Sequence, residues 1–293
     1  MKIICGIITY NREKLLHRCL FNINKLTIKP NLILIINQGD NINLDLDLDL
    51  DLNKKIINQE NAGSAGGWHT AINYALNNNF NYIWLMDDDG FPEKKSLELL
   101  LNNFESHYSC LSSVVLNEIK KEELVFSMPN YKNNYITRTK NIKTLRKLTI
   151  NSKKNLYPFA HLFNGSLISI KAIKNIGNIT KNLYIYGEEV DYFYRLNNFG
   201  PVLTHLDSKH FHPHVKKKFT SDEKIYYWIR NTIINNNNYS NRKIFKNLIS
   251  FFITIFRILE RNGISYIIKL FSINCRTILI KAIIDAHNFR PKQ

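Results

Sequence analysis

The chain's 293 residues, 44% of them hydrophobic, suffice for one large domain with a real core, or for a domain and a smaller appendage. Four scattered cysteines (Cys5, Cys19, Cys110, Cys275) without C-x-x-C spacing exclude a disulfide framework and a cysteine zinc site, and read as thiols of a reducing compartment. The formal charge is +16, and +9 of it falls after residue 225, where eleven Lys and Arg face two Asp and Glu; such a balance implies a polyanionic partner, whether nucleic acid, an anionic membrane or phosphorylated substrates.

The N-terminal stretch MKIICGIITYNREK is too short in its apolar part for a signal peptide and has no cleavage site. No segment approaches the roughly 18 uninterrupted apolar residues of a membrane-spanning helix, so the chain reads as cytoplasmic. Residues 2–9 are predicted as a first buried strand. Leu15, Leu16, Cys19, Leu20 and Ile23 have helical spacing within 12–24. Strands are predicted at 31–36, 55–57 and 82–86, with a helix at 65–77. Pro92 is expected to open a helix over 93–104, since its missing N–H costs little in a first turn. Alternating strands and helices argue for an α/β fold with a mostly parallel sheet, whose ligands bind beyond the carboxyl ends of the strands.

Between Gly39 and Asn53 the chain alternates Leu and Asp from Leu44 to Leu52. This reads as a low-complexity insertion in a surface loop and is assigned no chemistry. Residues 117–154 are Asn- and Lys-rich and weakly periodic, and read as a variable loop region. Periodicity returns at 157–170, followed by a short helix at 171–176, a helix rich in aromatics at 188–198 and a last strand at 201–206. Beyond residue 226 two greasy helices, 242–261 and 264–284, carry basic stripes: Lys243, Lys246, Arg257 and Arg261, then Lys269, Arg276 and Lys281. They suit either the interface of an anionic membrane or packing on the rest of the chain or on a second subunit of a homo-oligomer.

The chemistry concentrates in YIWLMDDDGFP, where an apolar strand runs into Asp87, Asp88 and Asp89. Three adjacent carboxylates repel one another and call for a positive partner. Hard oxygens at a strand end suit Mg²⁺ or Mn²⁺, ions that usually also take substrate phosphates as ligands. Thr9-Tyr10-Asn11-Arg12 follows the first strand and brings a guanidinium within reach of a phosphate. Asn61-Ala62-Gly63-Ser64-Ala65-Gly66-Gly67-Trp68 precedes a helix, with glycines that let backbone approach a ligand and a helix start that favours an anion. Glu188-Glu189-Val190-Asp191 forms a second acidic cluster. His210, His212 and His214 follow, with Lys216, Lys217 and Lys218 behind them. The aromatics Tyr184, Tyr186, Tyr192, Phe193 and Tyr194 read mainly as packing.

Taken in order, TYNRE, NAGSAGGW, WLMDDDGFP, YGEEVDYFYR, the histidine cluster and YYWIRN resemble family 2 glycosyltransferases of the GT-A fold, within them the bacterial galactofuranosyl- and rhamnosyltransferases. The resemblance covers roughly residues 1–231. It implies a GT-A catalytic domain at 1–225, with a donor half at about 1–117 and an acceptor half at 118–225, and a basic helical extension at 226–293. It implies that Asp89 and Asp87, with His212, hold Mn²⁺ or Mg²⁺ against a nucleotide diphosphate; His210 and His214 are rivals for His212. Thr9, Asn11, Arg12, Asn37, Asn61, Gly63, Gly66, Gly67, Asp87 and Asp88 would bind the donor. Glu189 would be the base, beside Glu188, and Phe163, Asn164, Gly165 and Asp191 would meet the acceptor. Two positions depart from the family pattern: Asn37-Gln38-Gly39 replaces the usual Asp-Asn-Gly, and Glu189 replaces the commoner Asp.

The activity implied is inverting transfer of galactofuranose, galactose or rhamnose from a nucleotide donor, UDP by resemblance, to a lipid-linked oligosaccharide acceptor of bacterial surface polysaccharide. The implied enzyme is peripheral on the inner face of the plasma membrane. Nucleotidyl transfer, a basic nucleic-acid binder and a non-catalytic partner are the rival readings. No nucleic-acid-binding motif is present, and the basic residues sit on greasy helices rather than a polar groove.

Overall fold

A computed structural model of the chain describes residues 1–42, 52–132, 135–215, 219–272 and 276–290. The Leu-Asp repeat up to Asp51, the Lys216–Lys218 run and Cys275 lie outside the described residues. The chain divides into two compact units. The first comprises Met1–Ala62, Gly67–Asn178 and Arg195–Val215; the second comprises Gly63–Gly66, Ile179–Tyr194 and Lys216–Gln293.

The first unit is built on a mixed, mostly parallel sheet. Strands β1 (Ile3–Thr9), β2 (Leu32–Asn37), β3 (Lys54–Asn58) and β4 (Tyr82–Asp87) lie parallel in the order β3-β2-β1-β4. The path continues through β10 (Asn164–Ser169), which is antiparallel to both neighbours, to β6 (Cys110–Asn117), β11 (Val202–His212) and β5 (Phe91–Pro92). The all-apolar runs of β1 and β2 are explained by cover on both faces. Ile3, Cys5 and Ile7 of β1 pack with Leu16, Cys19, Leu20 and Ile23 of helix α1 (Glu13–Asn24) and with Leu97 and Leu100 of α3 (Ser96–Asn102). The alternate residues face α2 (Gly63–Asn77): a Cβ on Gly6 would touch Ala71, and one on Gly67 would press on Ile8. Cys5, Cys19 and Cys110 are buried free thiols, as expected. Burial holds the Cys5 thiol well above its usual range.

Three expectations for the first unit are corrected. Residues 117–154 are not a loop region. Strands β7 (Glu123–Lys132) and β8 (Tyr135–Thr144) form a hairpin on β6, followed by helix α4 (Leu145–Ile150). A few apolar side chains, Leu124, Met128, Ile142 and Leu148, anchor it to Val114, Leu116 and Phe211, and they were diluted by the Asn and Lys around them. Pro92 does not open a helix; it ends β5, whose short edge pairing with His210 needs no proline donor beyond it. The last strand runs past residue 206 through the histidines to His212, after a register shift between His205 and Lys209. Strand β9 (Leu156–Tyr157) pairs on its flank, and α5 (Ile170–Ile176) follows β10.

The second unit is helical: α6 (Glu188–Phe199), which starts in it, α7 (Asp222–Tyr239), α8 (Lys243–Asn262), α9 (Ile264–Phe271) and α10 (Arg276–His287). Ile225 and Ile229 of α7, Ile258 of α8, Tyr266 and Leu270 of α9, and Leu279 and Ala282 of α10 form its core. The helix expected at 264–284 is thus two helices, with α9 stopping at Phe271 and its end capped at Ser272. Among the described residues no helix is long and apolar enough to cross a membrane.

Candidate functional site

In the first unit the carboxyl ends of the parallel strands gather the predicted residues. Thr9 pairs in register with Asn37, and Ile8 with Asp87, so the ends of β1, β2 and β4 lie at one edge. β10 enters from the same edge, with Asn164 opposite Met86, and β11 ends there at His212.

The acidic triplet divides its work. Asp88 is fully buried; its Oδ2 accepts from Thr9 Oγ1 at 2.6 Å and its Oδ1 lies 2.9 Å from Arg12 Nη2. Burial raises its pKa to about 6 against the opposing pull of Arg12 and Thr9. Asp89 Oδ2 accepts from Arg12 Nη1 at 2.8 Å, and its Oδ1 faces His212 Nε2 at 3.1 Å. Burial pushes the Asp89 carboxyl up, but His212 and Arg12 outweigh it and hold the group below the usual carboxylate range. Arg12 is therefore a positive partner for two of the three adjacent aspartates, Asp88 and Asp89. Arg18, which the sequence reading did not single out, donates to the Asp89 carbonyl (2.5 Å) and to Glu118 (2.7 Å), and so fastens the turn after the strand. Only its helical position gave a signal, and that is the signal of any solvated arginine.

His212 is oriented for ligation. Its Nδ1 donates to the Pro213 carbonyl at 2.7 Å, which turns Nε2 to the Asp89 carboxylate. Two lone-pair groups in this relation call for a proton or a cation between them. The donor set, one carboxylate oxygen and one imidazole, fits a divalent ion of the Mn²⁺ or Mg²⁺ class that completes its shell with water and phosphate oxygens. Among the described residues no group of three or more His, Cys, Asp or Glu forms a cage of its own. His210, in contrast, is wholly buried against Gly90 and Gly165, and burial lowers its pKa to about 3. His214 lies beyond the strand end.

Other expected donor residues are structural in this conformation. Asn37 is fully buried; its amide donates to Asp40 O and Asn58 Oδ1 and its oxygen accepts from Gly39 N, so it shapes the turn rather than presenting an amide to a base. Asn11 has φ +51 and its Oδ1 accepts from Asp40 N, bracing the same turn. Gln38, unassigned from sequence, accepts from Gln59 and from the Ala62 backbone N–H. Asn61 is exposed just before α2, and Gly66 is buried in its first turns. Gly67 makes close packing on β1 possible, not an approach to a ligand. Phe163 is buried and stacked on Trp68 with ring centroids 4.7 Å apart, and its carbonyl accepts from the Asp87 N–H. Asn164 is buried with an Oδ1 that has no partner, and Gly165 (φ +85) passes His210 closely.

In the second unit a strained turn delivers the second acidic cluster. Tyr184, Tyr186 and Gly187 all have positive φ (+63, +59 and +107) just before α6. Arg230 and Asn231 of α7 hold this turn. Asn231 Nδ2 lies 2.8, 2.8 and 2.5 Å from the carbonyls of Leu183, Ile185 and Tyr186, and Arg230 donates to those of Asn182 and Leu183. Glu188 is buried and accepts from Ser64 Oγ at 2.5 Å; burial raises its pKa to about 7. Glu189, next to it in the first turn of α6, is partly exposed. Asp191 accepts from Tyr239 OH (2.6 Å) and Thr180 Oγ1 (3.1 Å), so it braces α6 on α7 instead of offering a free carboxylate to an acceptor. Gly63 (φ +69) sits where a side chain would strike the Tyr184 carbonyl, so its role is this contact rather than ligand approach. Ser64, Arg230 and Asn231 stood within NAGSAGGW and YYWIRN without an assigned role. Tyr192 is buried, and Tyr194 stacks on Tyr239 at 4.6 Å, as the packing reading expected.

Residues 5–164 match glycosyl transferase family 2. The chain belongs to glycosyl transferase family 2. It is 28% identical over 219 residues to galactofuranosyltransferase GlfT1 of Mycolicibacterium smegmatis, covering 72% of this chain and 71% of that protein. The GlfT1 of Mycobacterium tuberculosis is 30% identical over 159 residues, about half of each chain. Among solved structures, a TarS fragment from S. aureus superposes with a TM-score of 0.58 at 16% identity, covering 98% of this chain and 81% of that one. The mannosyltransferase PcManGT from Pyrobaculum calidifontis, in complex with GDP-Man and Mn²⁺, superposes with a TM-score of 0.53 at 11% identity over 99% of this chain and 81% of that one. The fold is GT-A-like, and this family 2 enzyme moves a sugar from a nucleotide donor to an acceptor. Membership sets nucleotidyl transfer aside.

Proposed function

We propose that this family 2 enzyme is an inverting, metal-assisted glycosyltransferase of the galactofuranosyltransferase type. It uses a UDP-sugar and a hydroxyl acceptor of a lipid-linked surface glycan. The observation that carries the metal reading is His212, fixed through Nδ1 with Nε2 turned to Asp89. The similarity to GlfT1 supports galactofuranose over galactose or rhamnose as the sugar.

A Mn²⁺ or Mg²⁺ ion held by Asp89 and His212, with Asp87 beside them, would neutralise the negative charge that develops on the leaving diphosphate. The protein's own groups do the rest. Arg12 is held by Asp88 and Asp89 and keeps a cation next to the carboxylates when donor is absent. Arg18 fixes the backbone that carries Asp89. Glu189 takes the proton of the acceptor hydroxyl as its oxygen bonds to the anomeric carbon and the bond to the diphosphate breaks, and this single displacement inverts the centre. Glu188, with a pKa near 7, is about half protonated at neutral pH, which weakens the negative charge beside Glu189. A Glu at the position where the family prefers Asp brings the carboxylate about one methylene further out.

Glu189→Gln tests the base. Turnover is expected to fall by about 10²–10⁴-fold while UDP binding stays within twofold of wild type, read by product release and calorimetry. Wild-type-like turnover would remove Glu189 from the role.

A further inference from the structure

Helix α8 buries one side and leaves the opposite side bare. Thr254 and Ile258 are buried, and Ile258 joins the core of the helical unit with Ile255 packed beside it. The other side carries Phe245, Leu248, Ile249, Phe252, Ile253 and Phe256, spaced by three and four residues and all exposed; Phe245 is 61% and Phe252 68% exposed. Helix α9 repeats the arrangement. Tyr266 and Leu270 are buried, while Ile264, Ile268 and Phe271 are exposed. Six large apolar side chains along one side of a single helix are far more than the scattered exposed hydrophobics of an ordinary surface.

The charges say what covers this side. At 100° per residue, Lys243, Lys246, Arg257 and Arg261 fall along one flank of α8, between the buried side and the bare apolar one. Arg257 and Arg261 lie against the Trp228 ring at 5.5 Å, so two of these cations are held at that flank by α7. Glu260 is the one acidic residue of α8, and α9 has none. A protein partner with an apolar surface would not require a cationic flank. A phospholipid surface does, since its acyl layer takes the phenylalanines and its phosphates take the lysines and arginines, whose stems lie along apolar surface with their charges in the headgroups.

We propose that the apolar side of α8, continued by Ile264, Ile268 and Phe271 of α9, is the surface by which the enzyme lies on an anionic bilayer. The helix rests in the plane of the interface, with its phenylalanines about 5–10 Å into the headgroup–acyl boundary. It does not span, in keeping with the absence of a spanning helix among the described residues. The rest of the +9 charge after residue 225 adds electrostatic attraction to the same leaflet. The proposal does not depend on which sugar is transferred.

The test is sedimentation of the full chain with vesicles of phosphatidylcholine containing phosphatidylglycerol, and with phosphatidylcholine alone. Binding to the anionic vesicles is expected to be at least tenfold tighter and to weaken as salt rises. Phe252→Ser with Phe256→Ser should reduce it at least tenfold while the circular dichroism melt is unchanged, because both side chains are exposed. Loss of binding on Lys243→Gln with Lys246→Gln, with the same melt, would support the basic flank. Equal binding of the double serine variant, or no anionic preference, would overturn the proposal. So would a chain that ignores vesicles but forms a dimer that the serine substitutions dissociate, since the occupant would then be a second copy.

Discussion

Glu188 shows how much a single buried carboxyl can govern. Its acid form is the stable one in the fold: burial lifts the pKa from 4.5 to about 7, with the Ser64 hydroxyl pulling the other way. The native state therefore holds a proton that the unfolded chain releases above 4.5. The stabilisation is complete below that pH and is lost as pH rises through about 7, a loss on the order of 3 kcal/mol. Glu188→Gln should remove this dependence. Urea unfolding at pH 5 and pH 8 is expected to show wild type losing stability relative to the variant, and parallel losses in the two proteins would contradict the assignment. Asn231 works through geometry rather than charge. Three carbonyls of the turn before α6 depend on its one amide group, so Asn231→Ala should cost about 2–4 kcal/mol in unfolding. It should also lower kcat at least about tenfold with the donor KM little changed, because Glu189 loses its position rather than the donor its contacts. A stability loss with unaltered kcat would make Asn231 merely structural.

At the scale of elements, the turn at residues 183–187 and the start of α2 are one construction. Gly63 has positive φ and lies against the Tyr184 carbonyl, the Ala65 N–H donates to that same oxygen, and Ser64 reaches Glu188. Gly63→Ala is expected to destabilise the protein by about 2–4 kcal/mol, from left-handed strain and from the collision, measured by chemical denaturation. A neutral effect would mean that the helix start is free to shift. The glycines of NAGSAGGW were legible in the sequence as places of close approach, but what approaches is protein backbone and β1, and sequence spacing carries no information about the partner. The parallel core strands were legible because apolar runs of five to seven residues, bounded by turn residues, admit little else. The β7–β8 hairpin was not, because its burial rests on Leu124, Met128 and Ile142 scattered among polar residues, and its pairing is interrupted by register shifts. The histidines were legible as a cluster. His210 and His212, two residues apart, share one face of β11 and differ in their place along it: His210 is sealed against Gly90 and Gly165, while His212, the last residue of the strand, faces Asp89, and an expected strand end at residue 206 could not show this.

At the scale of the whole molecule, separate partners are proposed for the acidic triplet of the first unit and for the basic surplus after residue 225. In the triplet Asp88 and Asp89 pair with Arg12, and His212 Nε2 faces Asp89. The basic surplus sits on helices whose apolar sides are bare. The central claim concerns the first of these: Asp89 and His212 form a cation site that exists to hold a nucleotide diphosphate. Its most direct test is calorimetric titration of UDP into wild type and Asp89→Ala, each with Mn²⁺ and with EDTA. Wild type is expected to bind UDP at least tenfold more tightly with Mn²⁺ than with EDTA, and Asp89→Ala to lose that difference while keeping its fold by circular dichroism. UDP binding that is equal with and without the metal, or a metal-dependent gain that survives Asp89→Ala, would contradict the account.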